Sequence, residues 1–549
     1  MPFELANFQD SDLDAGYVEY LVDTHTHETA SRYSRLWDYF RNPLVPASTA
    51  TSSALNTNSR PYFQAQEAGL PARITGVTRF GSAQRPTDLQ RKEVVIENDI
   101  AWRVHTMVDY LFGHGITIRS LADNADLADL IEKTLATVLE ASGGISFLQE
   151  LALFGSVYGF SDIALRAPTD VKAAPASASA LPTWLPAAAA HSFAAARRSG
   201  NSTESASTSN QAQESVSEGM KTATSSIACR RVIEAAKLLR LEAIEAPRII
   251  PVLSDTNYQD VRYWVQRFWK HPTRLSNNRR AWLRMPWSTQ QSSEPACIEA
   301  IEILGASWWQ LYEDRKLVAE GPNLLGRPPI VHIQNVALPG SYAGIGDVEP
   351  LLPIQDELNT RLSDRAQRVT YQSFKMYLGK GIDDFLERPV GPGQMWATQN
   401  LDASIEEFGS DTGSPSEDAH IEQCRQAMDK VSGVTPLAAG LIGGNVGHLS
   451  SATALKVVLS GLLAKTARKR LTYSAGVKQI ADLVLHWLAL TGKLPTRPED
   501  RRIEIHWPNT LPIDESEQLR SAQAKLQLGV PPERVLAELG YDRQTLSNK

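Results

Sequence analysis

The sequence predicts an α+β chain of several parts, built around long amphipathic helices. Three observations carry that expectation. Its 549 residues are more than one hydrophobic core serves, because domains run to roughly 100–200 residues. Strand-like runs cluster between Leu239 and Asn335 instead of alternating with helices, which excludes a βα-repeat fold. Two sustained helical periods, from about Pro350 to Phe374 and from about Ser451 to Gly492, flank a short Gly/Pro-rich β segment.

Composition narrows the functional classes. Hydrophobic residues at 42% and charged residues at 21% are ordinary for a folded protein and exclude global disorder. Lys+Arg number 55 against Asp+Glu 62, a net charge of −7. That balance argues against a protein that grips nucleic acid without sequence preference, since such binding needs clustered cations. Cys229, Cys297 and Cys424 are far apart and form no CxxC, so neither a disulfide framework nor a zinc module is expected. No apolar run approaches the roughly 18–20 residues of a membrane span. The acidic opening MPFELANFQDSDLD lacks the basic and apolar regions of a signal peptide, so synthesis in the cytosol is expected.

Residues 1–92 read as an irregular arm with one helix at Ser31 to Phe40 and a Ser/Thr/Asn/Pro-rich run from Pro43 to Arg60. Ile100, Val104, Met107, Val108 and Leu111 then recur at helical spacing and stop at Gly113. A short strand at Ile116 to Ile118, a helix from Ala125 to Ala141 ending at Gly143-Gly144, a helix from Ile145 to Tyr158 and an alternating strand FSDIALRA follow. From about 168 to 227 the chain is roughly half Ala plus Ser with no apolar period, the composition of a mobile insertion. Strand material resumes beyond it. LRLEAIEAPRIIPVL, VRYWVQRFW, AWLRMPW, AIEILGASWWQLYE and PPIVHIQN are expected strands, with Trp264, Trp269, Trp282, Trp287, Trp308 and Trp309 as sheet core.

After a Gly-rich hinge, Pro339 to Gly346, the first long helix carries Leu351, Ile354, Leu358, Leu362, Ala366 and Val369 on one face. Its other face carries Asp356, Glu357, Arg361, Asp364, Arg365 and Arg368. A compact stretch with short β runs spans about Lys375 to Asp411, and a charged helix spans about Glu417 to Val431. The segment Thr435 to Ser451 is rich in small residues and breaks all periodicity before the second long helix begins. A strand RRIEIHW and two short helices, Gln518 to Leu528 and Pro532 to Leu539, complete the chain.

The sharpest enzymatic motif is VDTHTH, Val22 to His27. An Asp and His-x-His at a strand end resemble the metal-binding start of amidohydrolase barrels, where two imidazoles hold a divalent ion that activates water. Such a barrel needs eight strand–helix units that this chain lacks, and a solvated polar turn before the Ser31 helix is the competing reading. No GxxxxGK[ST], GxSxG or kinase motif set occurs. Lys465, Arg468, Lys469 and Arg470 lie within one helix and read as a solvated or interface-paired stripe. No catalytic constellation and no cofactor site emerges.

The order of segments from about Glu93 onward resembles the portal proteins of tailed bacteriophages, of the siphovirus type. NDIAWRVHTMVDYLFGHGITI is similar to the family's helix and strand at the start of its wing. LRLEAIEAPRIIPVLSDTNYQDVRYWVQRFW resembles its wing sheet, and GRPPIVHIQN its strand before the stem. GDVEPLLPIQDELNTRLSDRAQRVTYQSFKMYLGKG resembles the first stem helix entering the clip. MDKVSGVTPLAAGLIGGNVGHLSSATALKVVL resembles the second stem helix, tunnel loop and long wing helix. RIEIHWPNTLPIDESEQLRSA with LGVPPERVLAELGYD resembles the closing segment near the crown.

This resemblance implies a portal subunit divided as N-terminal arm 1–92, wing 93–345, first stem helix 346–374, clip 375–416, second stem helix 417–434, tunnel loop 435–451, long wing helix 452–492 and crown 493–549. It implies a homo-oligomeric ring, usually a dodecamer, at the capsid vertex, and a non-enzymatic role in genome packaging, DNA retention, ejection and head–tail connection. Implied partners are double-stranded DNA in the channel, the terminase large subunit, a head–tail adaptor, and the major capsid and scaffolding proteins, with no membrane. The location is the virion, with host cytoplasm during assembly. Tunnel-loop residues facing DNA would be Leu437, Leu441, Gly443, Gly444, Asn445 and His448. Asp356, Glu357, Arg361, Asp364 and Arg365 would line the channel or pair between subunits. Asp383, Asp384, Glu387, Arg388 and Trp396 would form the clip's docking surface. The mild acidity suits such a conduit, which must let DNA slide without trapping it. A metal-dependent hydrolase built on VDTHTH and a non-portal structural virion protein are the competing classes.

Overall fold

The structure is a computed structural model describing residues 3–5, 8, 13–46, 62–75, 93–168, 229–254, 260–270, 297–373, 376–380, 402–408, 415–440, 452–509, 515–532 and 535–536. The Ala/Ser-rich run at 169–228 and the expected strand AWLRMPW lie outside these residues.

Helix α1 (Ala15–Thr24) runs through a π-helical turn, His25–Thr29, into α2 (Ala30–Arg41). The expected single helix at Ser31 therefore begins a turn and a helix too late. Val18 and Val22, one turn apart, are buried against a sheet together with Phe3, Phe8 and Leu13. The helix is apolar on several sides, with Tyr17 and Tyr20 exposed, so its residues write no clean stripe, and the tertiary partner stabilises it. Strands β1 (Leu44–Pro46) and β2 (Tyr62–Gln64) pair antiparallel, followed by a 3-10 turn, Ala65–Gly69, and α3 (Ala72–Thr75).

Helices α4 (Asp99–Phe112), α5 (Ala125–Ala141) and α6 (Ile145–Tyr158) form where the apolar periods place them. Asn98 caps α4 by accepting from Ala101 N, and Asn124 caps α5 by accepting from Asp126 N and Leu127 N. Between α4 and α5 lies β3 (Thr117–Ser120). Strand β4 (Phe160–Arg166) is the centre of a three-stranded sheet ordered β11-β4-β5, with β5 at Arg240–Ile244 and β11 at Ile330–Gln334. The alternation expected for β4 is not its burial pattern. Ile163 and Leu165 enter one core cluster while Phe160 and Ala164 enter another, so both faces are covered. A helical run at 229–238, α7, precedes β5. Because Asp162 stands opposite Ile244, residues 167–239 form one connection between paired strands.

Strands β6 (Ile249–Leu253), β7 (Val261–Lys270), β8 (Ile298–Leu304), β9 (Trp308–Glu313) and β10 (Lys316–Pro322) form an antiparallel five-stranded sheet in order β10-β9-β8-β7-β6. The sequence reading omits β10. Asp314 (φ 46°) and Arg315 (φ 61°) make the two-residue turn into it, and both occupy the left-handed region that such hairpins require. Trp264 is core as expected, but Trp269 is 62% exposed, with the Arg267 guanidinium over its ring.

Beyond β11, a 3-10 turn, Glu349–Leu351, leads into α8 (Leu352–Ser373). Strands β12 (Met376–Lys380) and β13 (Ser404–Phe408) pair antiparallel, and α9 (Pro415–Ser432) returns. The expected second long helix is interrupted at Leu459 into α10 (Ala452–Val458) and α11 (Ser460–Leu490). Helical bonds cross the joint, Leu459 N to Leu455 O and Leu463 N to Leu459 O, so the interruption is a local distortion. It lies where Gly461 passes close to Gly433 at the end of α9. Helix α11 carries the main core, with Tyr473, Ile480, Val484 and Leu488 buried among α4, α5, α6 and β11. Its approach to β11 depends on Gly476, where a Cβ would stand 2.3 Å from the Ile333 side chain. Strand β14 (Ile503–His506) pairs with β3, and α12 (Glu515–Gln527) follows. No helix among the described residues is long and apolar enough to cross a membrane.

Candidate functional site at the root of the α8–α9 pair

Helices α8 and α9 lie side by side, and their ion pairs run in opposite residue order. Glu357 meets His420 (3.1 Å), Arg365 meets Asp418 (3.1 Å), and Arg368 meets Glu417. The pair is therefore antiparallel, with the β12–β13 ladder at its far end. The charged positions singled out on α8 all have partners inside this chain. Arg361 binds Glu357 at 2.7 Å, and Arg73 holds Asp364 with two bonds of 2.5 and 2.9 Å. Tyr39 donates to Asp356 at 2.6 Å. Burial, reinforced by that carboxylate, pushes the Tyr39 hydroxyl up to about 12. Gly69 packs on the same pair, where a Cβ would fall 1.8 Å from Asp356 Oδ1.

The near end of the pair is rooted in a buried charge cluster. Asp347, just before α8, binds Lys469 Nζ at 2.5 Å and Lys465 Nζ at 2.7 Å. Lys469 also donates to Ser156 Oγ on α6 (3.0 Å), and Lys465 to the Ser432 carbonyl at the end of α9 (2.7 Å). Lys469 is 0% exposed. Burial alone would raise the Asp347 carboxyl, but the two ammonium groups outweigh it and hold the carboxyl well below the usual range. Lys469 is lowered by burial, and Lys465 adds to that lowering against the pull of Asp347. With two cations to one anion the cluster keeps a net positive charge, which holds the Asp347 carboxyl down and adds to the lowering that burial imposes on Lys469. The four polypeptide elements meeting here are α6, the entry to α8, the exit of α9, and α11. The Lys465–Lys469 pair is thus neither solvated nor simply surface-paired, contrary to the sequence reading.

A second cluster ties α4 to α9. Arg103 binds Asp99 at 2.9 Å and Asp429 at 2.5 Å, and its guanidinium lies 4.2 Å from the Trp102 ring centroid. Burial raises the Asp429 carboxyl despite that arginine.

The Gly-rich segment expected to be a hinge is pinned. His332 bonds Asp162 (2.7 Å) and the Tyr342 carbonyl (2.8 Å), and Tyr342 donates to Asp162 at 2.9 Å. Asn335 donates to the Ile345 carbonyl, and Asp347 N to the Ser156 carbonyl. Gly159 (φ +94°) sits against this loop, where a Cβ would come 2.4 Å from the Gly344 carbonyl oxygen. These bonds fix where α8 starts.

VDTHTH is neither a strand end nor a solvated turn. It falls across α1 and the π-helical turn, with His25 buried and its Nε2 3.0 Å from the Pro247 carbonyl oxygen, while Asp23 and His27 are exposed. Burial lowers His25, so the neutral ring donates to that carbonyl. Residues two apart on a helix diverge, and among the described residues no group of three His, Cys, Asp or Glu could hold a metal.

Of the tunnel-loop residues, Leu437 is half-buried in a 3-10 turn, Pro436–Ala439, between Gly433 (φ +72°) and Gly440 (φ +75°). Leu441, Gly443, Gly444, Asn445 and His448 lie outside the described residues, as do Asp383, Asp384, Glu387, Arg388 and Trp396. Sequence reasoning missed Asp347, Ser156 and Asn335. The i, i+4 spacing of Lys465 and Lys469 was visible, but their anion lies more than a hundred residues away.

The model of the family described as "Phage portal protein, SPP1 Gp6-like" matches residues 100–541. The chain belongs to this portal family. Two chains of solved particles also align with this chain. One, from the "Virion of native gene transfer agent (GTA) particle", is 11% identical over 81% of this chain and 90% of that chain, at a TM-score of 0.40. The other, from the "Neck of empty GTA particle computed with C6 symmetry", is 9% identical at the same coverages and a TM-score of 0.41. No curated protein matches this chain. The portal match begins one residue into α4 and takes in the whole α8–α9 pair, the buried cluster and α11.

Proposed function

We propose that this portal protein acts as one subunit of a ring, usually of twelve, around a DNA channel at the capsid vertex. In this reading α8 and α9 are the stem, β12–β13 belongs to the clip, the sheets with α4, α5, α6 and α11 form the wing, and the region after 493 forms the crown. The observation that carries it is the antiparallel α8–α9 pair, rooted by Asp347, Lys465 and Lys469 and tipped by a small β ladder, inside a portal-family match of 442 residues' span (100–541). A hairpin anchored at one end by buried ions suits a rigid channel wall. Asp356, Glu357, Arg361, Asp364 and Arg365 brace that wall within the subunit and supply the charges offered to a neighbour or to the channel.

The residues after Gly433, with Leu437, Leu441, Gly443, Gly444, Asn445 and His448, form the loop that touches passing DNA. The clip, with Asp383, Asp384, Glu387, Arg388 and Trp396, docks the terminase large subunit during packaging and a head–tail adaptor afterwards. The outer surface meets the major capsid and scaffolding proteins. ATP hydrolysis belongs to the terminase. Negative-stain images of the purified protein should show annular particles, and particles without a central hole overturn the reading. Replacing Gly443 and Gly444 together by alanine should impair packaging or DNA retention. Normal values for both remove the loop's role.

A further inference from the structure

We propose that the described residues 15–46, 62–75 and 93–99, all of which precede the portal-family match, form an intramolecular strap that fixes the register of α8 against the sheets. Gln355, Asn359 and Ser363 stand one helical turn apart on α8 and face an extended stretch of the chain's own backbone. Val95 N donates to Ser363 Oγ (3.1 Å), which donates back to the Val95 carbonyl (3.2 Å). Glu97 N donates to Asn359 Oδ1 (3.1 Å), and Gln355 Nε2 to the Glu97 carbonyl (2.6 Å). Asp99 N donates to Gln355 Oε1 (3.2 Å). Four helical residues rise about 6 Å, and two extended residues span about 6.6 Å. Residues 95, 97 and 99 therefore meet 363, 359 and 355 in step, with the backbone running opposite to the helix.

The match is costly to leave unmade. Gln355 and Asn359 are 0% exposed and Ser363 is 1%, and buried amides and hydroxyls need partners. Recognition is of backbone, so it writes no apolar period into residues 93–99. Further bonds from the same segment hold α8 along its length. Arg32 binds Glu349 with both carboxylate oxygens, Asn359 donates to Gln66 Oε1 (2.9 Å), and Arg73 grips Asp364. The other end of the segment is seated elsewhere, with Val18 and Val22 buried on the five-stranded sheet. The described residues before the match thus touch both the sheet and the helix.

Two measurements test this on the full chain. With Cys229, Cys297 and Cys424 replaced by serine, Arg73→Cys and Asp364→Cys are joined by a short bis-maleimide. The strap predicts a crosslink within one chain, at monomer mobility on a denaturing gel. A ladder of crosslinked multimers overturns it, because a neighbour's segment would then occupy α8. In hydrogen exchange, Asn359→Ala should speed the amides of residues 95–99 about five- to tenfold, the loss expected for one hydrogen bond, with β7 and β8 unchanged. Equal exchange in variant and parent overturns the strap. Ser363→Ala gives the same reading at Val95 alone if the first variant does not fold. Both readouts concern a single chain, so a failure of the ring in imaging leaves them intact.

Discussion

Replacing Asp347 by asparagine keeps the shape of the side chain and removes the carboxylate that binds both Lys465 and Lys469. Lys465 retains the Ser432 carbonyl and some exposure, but Lys469 is left fully buried without a counter-charge, with only neutral acceptors such as Ser156 Oγ. Breaking a buried pair from one side costs about 3–5 kcal/mol. A ceiling applies, because Lys469 can fold as the neutral amine. Relative to an unfolded lysine of pKa about 10.4, that costs about 1.4 kcal/mol for each pH unit below it, so roughly 4.6 kcal/mol at pH 7 and 2 kcal/mol at pH 9. The folded lysine then binds fewer protons than the unfolded one, so the variant gains stability as pH rises. The destabilisation read from urea-unfolding midpoints should be about 3–5 kcal/mol at pH 7 and should shrink to about 2 kcal/mol by pH 9. Combining Asp347→Asn with Lys469→Met should restore most of the loss, since no buried charge is then stranded. On the acid side the sign reverses in the parent. The Asp347 carboxyl is depressed, so its contribution is complete above the unfolded pKa of about 3.9 and fades as pH falls through the folded value. The variant should lack that part of the acid transition. A cost below about 1 kcal/mol at pH 7, or one that does not change between pH 7 and 9, refutes the account of the cluster.

Gly155→Ala on α6 would place a Cβ 2.0 Å from the Tyr473 hydroxyl, and overpacking of this kind costs about 1–3 kcal/mol. Thermal melts should show Tyr473→Phe recovering part of that loss when combined with Gly155→Ala, although Phe alone is destabilising through its lost bond to the Leu151 carbonyl. Arg103→Met strands Asp99 and Asp429 beside each other and should cost about 3–5 kcal/mol by urea unfolding at pH 7. Because burial already raises the Asp429 carboxyl and loss of the Arg103 guanidinium removes what lowers it, the deficit should ease as the pH is lowered towards 5. Cys297 is exposed, whereas burial and the nearby Glu357 raise the Cys424 thiol. Iodoacetamide at pH 8, read by mass spectrometry, should modify Cys297 first, and Glu357→Gln should speed the reaction of Cys424.

What the sequence disclosed follows from how far each signal reaches along the chain. Helices α4, α5 and α6 were legible because their apolar periods and their asparagine or glycine boundaries are written within twenty residues. Strand β10 was not, because its exposed Lys316, Val318 and Glu320 and its terminal Gly321 and Pro322 give an edge strand no apolar stripe, and only the left-handed Asp314-Arg315 turn announces it. The charges of α8 were legible as charges but not as pairs, since Asp364 finds Arg73 and Glu357 finds His420 from segments distant in sequence. The polar stripe Gln355, Asn359 and Ser363 was invisible as a buried face. Neutral polar residues at helical spacing ordinarily mean solvent, and their satisfaction by backbone at 95–99 leaves no trace in side-chain pattern. The same reasoning separates the two ends of the α8–α9 pair. At its root, Asp347 and Lys469 are buried and mutually dependent, so neither can change alone without a stranded charge. Along its length, the Arg365–Asp418 and Glu357–His420 pairs are largely exposed and each contributes little, whereas Glu417, paired with Arg368 farther from the root, is only 16% exposed. The near end of the pair is therefore the part least tolerant of a single charge change.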